Sequence, residues 1–337
     1  MHNPKKYTVN YIKNVQPSLR FNEGDDYEEW KIKARTKLSE LMGMDKYKKA
    51  NLDFKITNEI DMGDYKEIYF TYQSEKGYYP IGCFVIPNHL TSPLPLVICL
   101  QGHSKGMHIS LGKAKYEGDE MQIKNGDRDF AVRVIKEGYI ALCIEQRGFG
   151  ECGGNEKGTQ CHIPTMANLL VGRTTIGERV WDVMRAIDVA EQHFAEYIDP
   201  NKIICMGNSG GGTTTYYATC MDDRIKYAMP SCSICSYDDS IASISHCTCN
   251  FIPHIREYFD MGDLGGLIAP KYMVIVSGKD DDIFPIDASC KTYETIKRFY
   301  TMLGKEKNIT HIIGNGGHRF YADDAWKAMN KYIKSGE

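Results

Sequence analysis

The stretch that most constrains the fold of this chain runs from Lys202 to Thr215 and reads KIICMGNSGGGTTT. An apolar run at 203–206 stops abruptly at glycine, asparagine and serine, and small residues follow. This order is typical of a buried strand that turns sharply into a helix. We therefore predict a strand, a tight corner and a helix start, with Ser209 at the corner.

Ser209 is a candidate nucleophile because such a corner points its hydroxyl out of the sheet. Gly207 and Gly211 leave room for the corner, and the backbone N–H of Gly210 is placed to hold a developing oxyanion. The pattern G-x-S-x-G alone is weak, since it arises by accident in roughly one chain in ten of this length. A glycine-rich turn without a catalytic role is the alternative, and the rest of the chain decides between the two.

Composition is that of an ordinary globular protein. Of 337 residues, 42% are hydrophobic and 25% are charged, and the chain is long enough for one large α/β domain or two small ones. The net charge of −3 and the lack of a long basic run argue against nucleic acid or an anionic membrane as partner. No apolar stretch reads as a signal peptide, so we expect a cytoplasmic protein whose 12 cysteines are mostly buried, reduced thiols.

The spacing of apolar residues predicts one domain over residues 1–337, with an arm and helix at 1–53 and a lid-like excursion at 232–268. Residues 1–26 read as a polar surface arm, and Tyr27 to Met42 as a helix. Short turns make the first three strands antiparallel, after which strand and helix alternate as in a parallel, doubly wound sheet. The predicted strands are 56–60, 67–72, 79–86, 96–100, 139–145, 203–206, 225–229, 272–276 and 310–313, and the predicted helices beyond the first strands are 128–137, 175–198, 211–220, 287–303 and 323–333.

The helix at 175–198 carries the clearest apolar stripe. We predict that Thr175 and Glu178 form its capping box and that Pro200 ends it.

Polar groups in an open parallel sheet collect beyond the carboxyl ends of the strands. The strand at 272–276 leads to three adjacent acids, Asp280, Asp281 and Asp282, and the last strand leads to a glycine-rich loop with His318. Serine, acid and histidine then follow in the order of one kind of catalytic triad. We expect His318 to act as general base and one of the acids to orient it, the alternatives being a solvated acidic loop and a packed histidine.

Two more strand exits carry polar loops. The strand ending at Leu100 runs into QGHSKG, where the N–H of His103 is the expected second oxyanion donor opposite Gly210. The segment 148–153 matches the dinucleotide pattern G-x-G-x-x-G, but that pattern should open directly into a helix, and here the next predicted helix lies well downstream. We therefore predict no nucleotide site, and expect Arg147 to brace the active-site loops and contact substrate.

Cys232 and Cys235, followed by Cys247 and Cys249 beside His246, offer donors of the kind that bind zinc. The second pair lacks the usual spacing, and cysteines in apolar segments are commonly just buried. We expect packing and no metal, which a metal assay on chelator-free protein would decide.

These residues together resemble the α/β-hydrolase superfamily and, within it, the acetyl xylan esterase-like and dienelactone hydrolase-like branch. The matching segments are 207–211, 147–150, 278–281 with Pro285, and 317–318. The resemblance implies an α/β-hydrolase fold, selects Asp281 as the acid of a G-x-x-D motif, and points to the N–H of His103. Gly210 and Arg319 depart from the deacetylases, which have Gln and Glu there, and Ser209 departs from dienelactone hydrolases, which use Cys.

The resemblance implies a serine carboxylic ester hydrolase that works through an acyl-enzyme and releases acetyl or another small acyl group from a carbohydrate or small molecule. Ser209 would attack, His318 would transfer the proton and Asp281 would orient it. No cofactor is expected, and self-association is left open.

Substrate choice is expected to reside in the excursion 232–268, through Ile252, Tyr258 and Phe259, unless these side chains only pack the domain. The competing interpretations are a serine peptidase or feruloyl-type esterase on the same fold, a non-catalytic binding protein on a hydrolase scaffold, and a dinucleotide-dependent enzyme.

Overall fold

A computed structural model describes residues 2–335. The strands are β1 (Lys55–Asp61), β2 (Tyr65–Thr71), β3 (Ile81–Pro87), β4 (Leu94–Leu100), β5 (Ile140–Ile144), β6 (Ile198–Asn208), β7 (Ile225–Ser231), β8 (Tyr272–Gly278) and β9 (Ile309–Gly314). The helices are α1 (Pro4–Asn14), α2 (Tyr27–Met42), α3 (Asp119–Gly126), α4 (Phe130–Lys136), α5 (His162–Leu169), α6 (Thr175–His193), α7 (Gly210–Met221), α8 (Ile255–Tyr258), α9 (Met261–Ile268), α10 (Ile286–Met302) and α11 (Ala322–Ser335).

The strands form a sheet in the order β1-β2-β3-β5-β4-β6-β7-β8-β9. The pairs β1–β2, β2–β3 and β3–β5 are antiparallel, and the pairs from β5 to β9 are parallel. Loops without helices join the first three strands, whereas helices cross over between the later ones, as parallel pairing requires. The predicted α/β-hydrolase fold, with its antiparallel N-terminal strands, is therefore confirmed.

Strand β4 shows how the sheet is covered on both faces. Leu96, Ile98 and Leu100 belong to a hydrophobic cluster that also contains α2, α6, α7, α9 and α10. Val97 and Cys99, which alternate with them, belong to a second cluster built with α4 and α11. Because alternate side chains of a strand face opposite sides, the sheet lies between two helical layers.

The N-terminal arm differs from our prediction, because residues 4–14 form a helix rather than aperiodic chain. Asn3 caps this helix by accepting a hydrogen bond from the N–H of Lys6, and Pro4 occupies the first turn. No residue of α1 is buried, so packing in the core does not account for this helix.

The long helix α6 is shorter than predicted. Its cap is Thr174, whose hydroxyl accepts from the N–H of Gly177, rather than Thr175. The helix ends at His193, and Pro200 lies inside β6. Both shifts move a boundary by a few residues, the usual error when ends are assigned from pattern.

The excursion 232–268 ends in a buried helix. All eight residues of α9 are buried, and this helix packs in the main cluster beside α10. Between residues 2 and 335, none of the helices combines the length and apolar character needed to cross a bilayer.

Candidate active site

Ser209 sits at the corner between β6 and α7 with φ 55° and ψ −122°, a conformation that is rare for a residue with a side chain. Glycines make the corner possible, since a Cβ at Gly211 would lie 2.0 Å from the carbonyl oxygen of Leu100. The N–H of Ser209 donates to the carbonyl of Ser231 at the end of β7, over 2.8 Å. Only 9% of Ser209 is exposed. The strained turn predicted from the sequence is therefore present.

His318 and Asp281 form a pair at the ends of β9 and β8. His318 Nδ1 lies 2.9 Å from Asp281 Oδ2, and the other carboxylate oxygen accepts from the N–H groups of Ile283 and Phe284 at 2.9 and 3.1 Å. Burial alone would raise the pKa of Asp281, but the hydrogen bonds from His318 and from the two backbone groups lower it below its usual value. Asp281 is thus held as a carboxylate that fixes the orientation of the imidazole.

The three adjacent acids differ in their surroundings. Asp281 is buried against His318, whereas Asp280 and Asp282 are exposed. Asp281 is therefore the acid that makes the contact, the choice that the family resemblance implied.

The end of β7 contacts both the serine corner and the histidine–aspartate pair. Ser231, which holds the N–H of Ser209, is followed by Cys232, and the sulfur of Cys232 lies within 4.8 Å of both the His318 and Asp281 ligand atoms. Within the described residues the Ser209 hydroxyl makes no hydrogen bond to His318. Such bonds are often long before substrate binds.

The expected oxyanion donors belong to two different segments near Ser209. The N–H of Gly210 opens helix α7, where a helix leaves its first amides without internal acceptors. Across residues 2–335, the N–H of His103 has no backbone acceptor either. The ring of His103 lies against Gly210, because a Cβ built there would come within 2.9 Å of its Cε1 and Nδ1 atoms. These two amides remain our predicted oxyanion hole.

Arg128 is a cation at this site that the sequence analysis missed. A Cβ built at Gly102 would lie 3.0 Å from Ser209 Cβ and 3.2 Å from Arg128 Nη1, so the guanidinium reaches the serine corner. Arg128 is only 8% exposed, and its guanidinium forms neither an ion pair nor a hydrogen bond within the described part of the chain. Burial lowers its pKa. No sequence pattern marks this arginine, because its lack of a carboxylate partner arises only in the folded chain.

The guanidinium of Arg147 is paired with three carboxylates. Its guanidinium bonds to Asp182 at 2.7 Å, to Glu178 at 2.9 Å and to Glu75 at 2.7 Å, and it stacks on Tyr78 with 3.9 Å to the ring centre. Burial alone would lower the pKa of Arg147, but the carboxylates of Asp182 and Glu178 outweigh burial and raise it above its usual value. These bonds fit the predicted bracing role, and its contact with substrate stays a prediction.

The predicted substrate residues of the excursion pack the domain. Phe259 and Ile252 are buried in the main hydrophobic cluster, and Tyr258 packs against it under the ammonium of Lys37, 4.7 Å from the ring centre. The alternative stated for them, packing alone, is the one that these contacts favour. Their role in substrate choice remains an untested prediction.

The four cysteines considered as one zinc set are separated by the fold. Cys235 packs with Phe284 and Ala288, and Cys232 lies beside the histidine–aspartate pair. Cys247 and Cys249 lie elsewhere, near His103. The set proposed from sequence spacing is therefore not a single site.

A sequence model described as the Abhydrolase family matches residues 6–331. This chain belongs to that family. Among curated relatives, "Putative hydrolase YtaP" of Bacillus subtilis (strain 168) is 25% identical over 238 residues, covering 70% of this chain and 76% of the relative.

Solved structures of the α/β-hydrolase superfamily share the fold of this family member. The "putative acetyl xylan esterase" of Bacteroides fragilis NCTC 9343 superposes with a TM-score of 0.78 at 14% identity, covering 93% of this chain and 82% of that one. A glucuronoyl esterase from Solibacter usitatus gives 0.69 at 13% identity, covering 96% and 97%. An acetyl xylan esterase from Paenibacillus sp. R4 gives 0.59 at 17% identity, covering 97% and 98%.

Proposed function

We propose that this chain is a serine carboxylic ester hydrolase that acts through an acyl-enzyme and releases acetyl or another small acyl group from a carbohydrate or small molecule. The observation that carries the proposal is the Ser209 corner, strained at φ 55°, with a histidine whose Nδ1 lies 2.9 Å from a buried aspartate at the ends of neighbouring strands of the same sheet. That combination is what nucleophilic acyl transfer requires.

The chemistry follows from these positions. Ser209 attacks the ester carbonyl while Nε2 of His318 accepts its proton, and Asp281 stabilises the imidazolium that forms. The amides of His103 and Gly210 donate to the oxyanion, each worth about 100-fold to 1000-fold in rate. His318 then protonates the leaving alcohol, and the same group activates the water that releases the acid.

Arg128 adds a positive charge to the mechanism. Its guanidinium lies beside the serine corner without a carboxylate partner among the described residues, so it can stabilise negative charge that develops in the substrate. An unpaired buried cation is costly to fold, which supports a role in the reaction rather than in stability.

The choice of an ester of a carbohydrate or small molecule rests on likeness of fold. The structural neighbours described above are named acetyl xylan and glucuronoyl esterases. A panel of esters can identify the acyl group and the alcohol of this chain's own substrate.

The direct test is to label the protein with a fluorophosphonate and map the adduct by mass spectrometry. We expect the adduct on Ser209 and none on Ser209→Ala. Ser233→Ala is a suitable control, because that serine is also buried near α7, and it should label like the native chain. An adduct on another residue would refute the assignment of the nucleophile.

A panel of acetyl, feruloyl and peptidyl compounds then separates the proposal from its rivals. Turnover of acetyl esters that is lost in Ser209→Ala supports the proposal, and preference for peptides or feruloyl esters would replace it. A chain that turns over none of them and is not labelled would be a binding protein on a hydrolase scaffold. Thermal stabilisation by NAD would point to the dinucleotide alternative.

A further inference from the structure

Three cysteines and a histidine meet at the loop 101–106, here called the oxyanion loop, away from the histidine–aspartate pair. A ring nitrogen of His103 and the sulfurs of Cys161, Cys247 and Cys249 all lie within 4.8 Å of one another. His103 Nε2 is 3.2 Å from the sulfur of Cys249, which is 3.3 Å from that of Cys247. The cysteines are free thiols, and their separation is far beyond the about 2.05 Å of a disulfide.

The donor set is suited to zinc in both type and geometry. Thiolate sulfur and imidazole nitrogen are its preferred ligands, and structural sites use four of them in a tetrahedron. Metal–sulfur bonds of about 2.3 Å place the corners of such a tetrahedron about 3.8 Å apart. The His103–Cys249 and Cys249–Cys247 separations of 3.2 and 3.3 Å lie below that value, and none in the cluster exceeds 4.8 Å, so small adjustments suffice for all four donors to reach one ion.

A buried arginine supplies a second, independent argument. Arg179 of α6 is 2% exposed, and its Nη1 and Nη2 atoms lie 3.3 and 3.4 Å from the sulfurs of Cys249 and Cys161. It also donates to the carbonyl of Arg147 and stacks on Phe149, but in residues 2–335 no carboxylate pairs with it.

The charges of this arrangement balance only with deprotonated sulfur. A buried guanidinium without an anion is costly, and four neutral donors would leave Arg179 in that state. Three thiolates around a Zn²⁺ ion carry one net negative charge, which the guanidinium neutralises. The cluster and Arg179 together thus form a neutral buried unit.

We propose that His103, Cys161, Cys247 and Cys249 bind one Zn²⁺ ion, which joins the excursion 232–268 to the oxyanion loop. The site is a structural one, because the protein supplies four ligands and leaves no open position for substrate. It replaces our expectation from the sequence that Cys247 and Cys249 only pack. Cys161, from the loop before α5, provides the third sulfur.

The proposed ion also positions a catalytic group. His103 contributes its ring to the cluster and its backbone N–H to the predicted oxyanion hole. Fixing the ring through the metal fixes the direction of that N–H, as the second partner of a metal-bound histidine does in other sites.

The first test measures metal in the full-length protein, purified under reducing conditions without chelator and without a metal-binding tag. We expect about one zinc ion per chain. Cys161→Ser and Cys249→Ser should lose most of it, whereas Cys235→Ser, a buried cysteine of the same excursion outside the cluster, should keep it. Metal-free protein that fails to take up zinc on reconstitution overturns the proposal, as does iron in place of zinc.

A second test does not depend on variants that fold. The native chain is stripped with a strong chelator and reconstituted with Co²⁺, whose absorption reports its ligands. We expect thiolate-to-cobalt charge-transfer bands and the intense visible bands of a tetrahedral ion, and a lower melting temperature for the stripped protein. Weak octahedral bands without charge transfer, or an unchanged melting temperature after stripping, would overturn it. Neither readout requires ester turnover, so failure here leaves the proposed function standing.

Discussion

Replacing Gly210 by alanine tests whether the ring of His103 sets the geometry of the oxyanion hole. Gly210 is not among the residues with positive φ, so a methyl group there causes no backbone strain of its own. The new Cβ would lie 2.9 Å from Cε1 and Nδ1 of His103, where ordinary contact begins at 3.4 Å. The ring must therefore move by about 0.5 Å or more.

That displacement is large on the scale of an oxyanion hydrogen bond. Donors act at 2.7–3.1 Å from the oxyanion, so a shift of about 0.5 Å that the ring passes on to its own backbone takes the N–H of His103 out of range. Since one donor is worth about 100-fold to 1000-fold, Gly210→Ala should lower kcat/KM for an acetyl ester by about 100-fold, mostly through kcat. Steady-state and burst kinetics with a chromogenic acetate ester measure this directly.

The double variant with His103→Ala provides the control. Without the ring the methyl group meets no obstacle, so Gly210→Ala should cost little more in that background, a non-additivity expected of residues in contact. If Gly210→Ala alone stays within about threefold of the native kcat/KM with unchanged melting temperature, the ring does not restrain the oxyanion loop.

Three further predictions concern charged groups. Asp281→Asn should lower kcat by about 10⁴-fold with little change in the melting temperature, because the imidazole loses its orienting carboxylate; a loss below tenfold would contradict the triad. Arg128→Gln should lower kcat/KM by about 10- to 100-fold yet raise the melting temperature, because the substitution removes a buried, unpaired cation. If the arginine were purely structural, the melting temperature would fall instead. Burial raises the pKa of the Glu145 carboxyl group from 4.5 to about 7, so this group binds its proton more tightly in the folded state than in the unfolded state. The contribution of Glu145 to stability is therefore full below pH 4.5 and is lost as the pH rises to about 7. Across that window, the unfolding free energy of the native chain should fall relative to that of Glu145→Gln by up to about 3 kcal/mol, as measured by denaturant titration at several pH values. A difference between the two proteins that does not change with pH would contradict this prediction.

The sheet could be predicted from the sequence because its signals are local. Apolar runs bounded by glycine and proline placed the nine strands, and the order of Ser209 and His318 along the chain indicated which strand ends meet. Helix α1 was missed, and it is a surface helix none of whose residues is buried. The ends of α6 were misplaced because capping is decided by one hydroxyl, that of Thr174.

The cysteine cluster could not be predicted because its donors are far apart in the chain. His103 and Cys249 are separated by 146 positions, and Cys161 stands alone between them. The short spacing of Cys247 and Cys249 was the visible part of the site, and pairing it with the nearest other cysteines gave the wrong set. Arg128 was hidden for the same reason, since its lack of a partner exists only in the folded chain.

The cluster limits how the excursion can move. Its first residue is fixed by the hydrogen bond from the N–H of Cys232 to Val276, over 2.8 Å, and its last eight residues form the buried helix α9. With Cys247 and Cys249 bound to the same ion as the oxyanion loop, the middle is held as well. Opening as one hinged lid would break all three attachments. Substrate access is then left to the segment 242–246, whose residues are half-buried or exposed, and hydrogen exchange there should be faster than in α9.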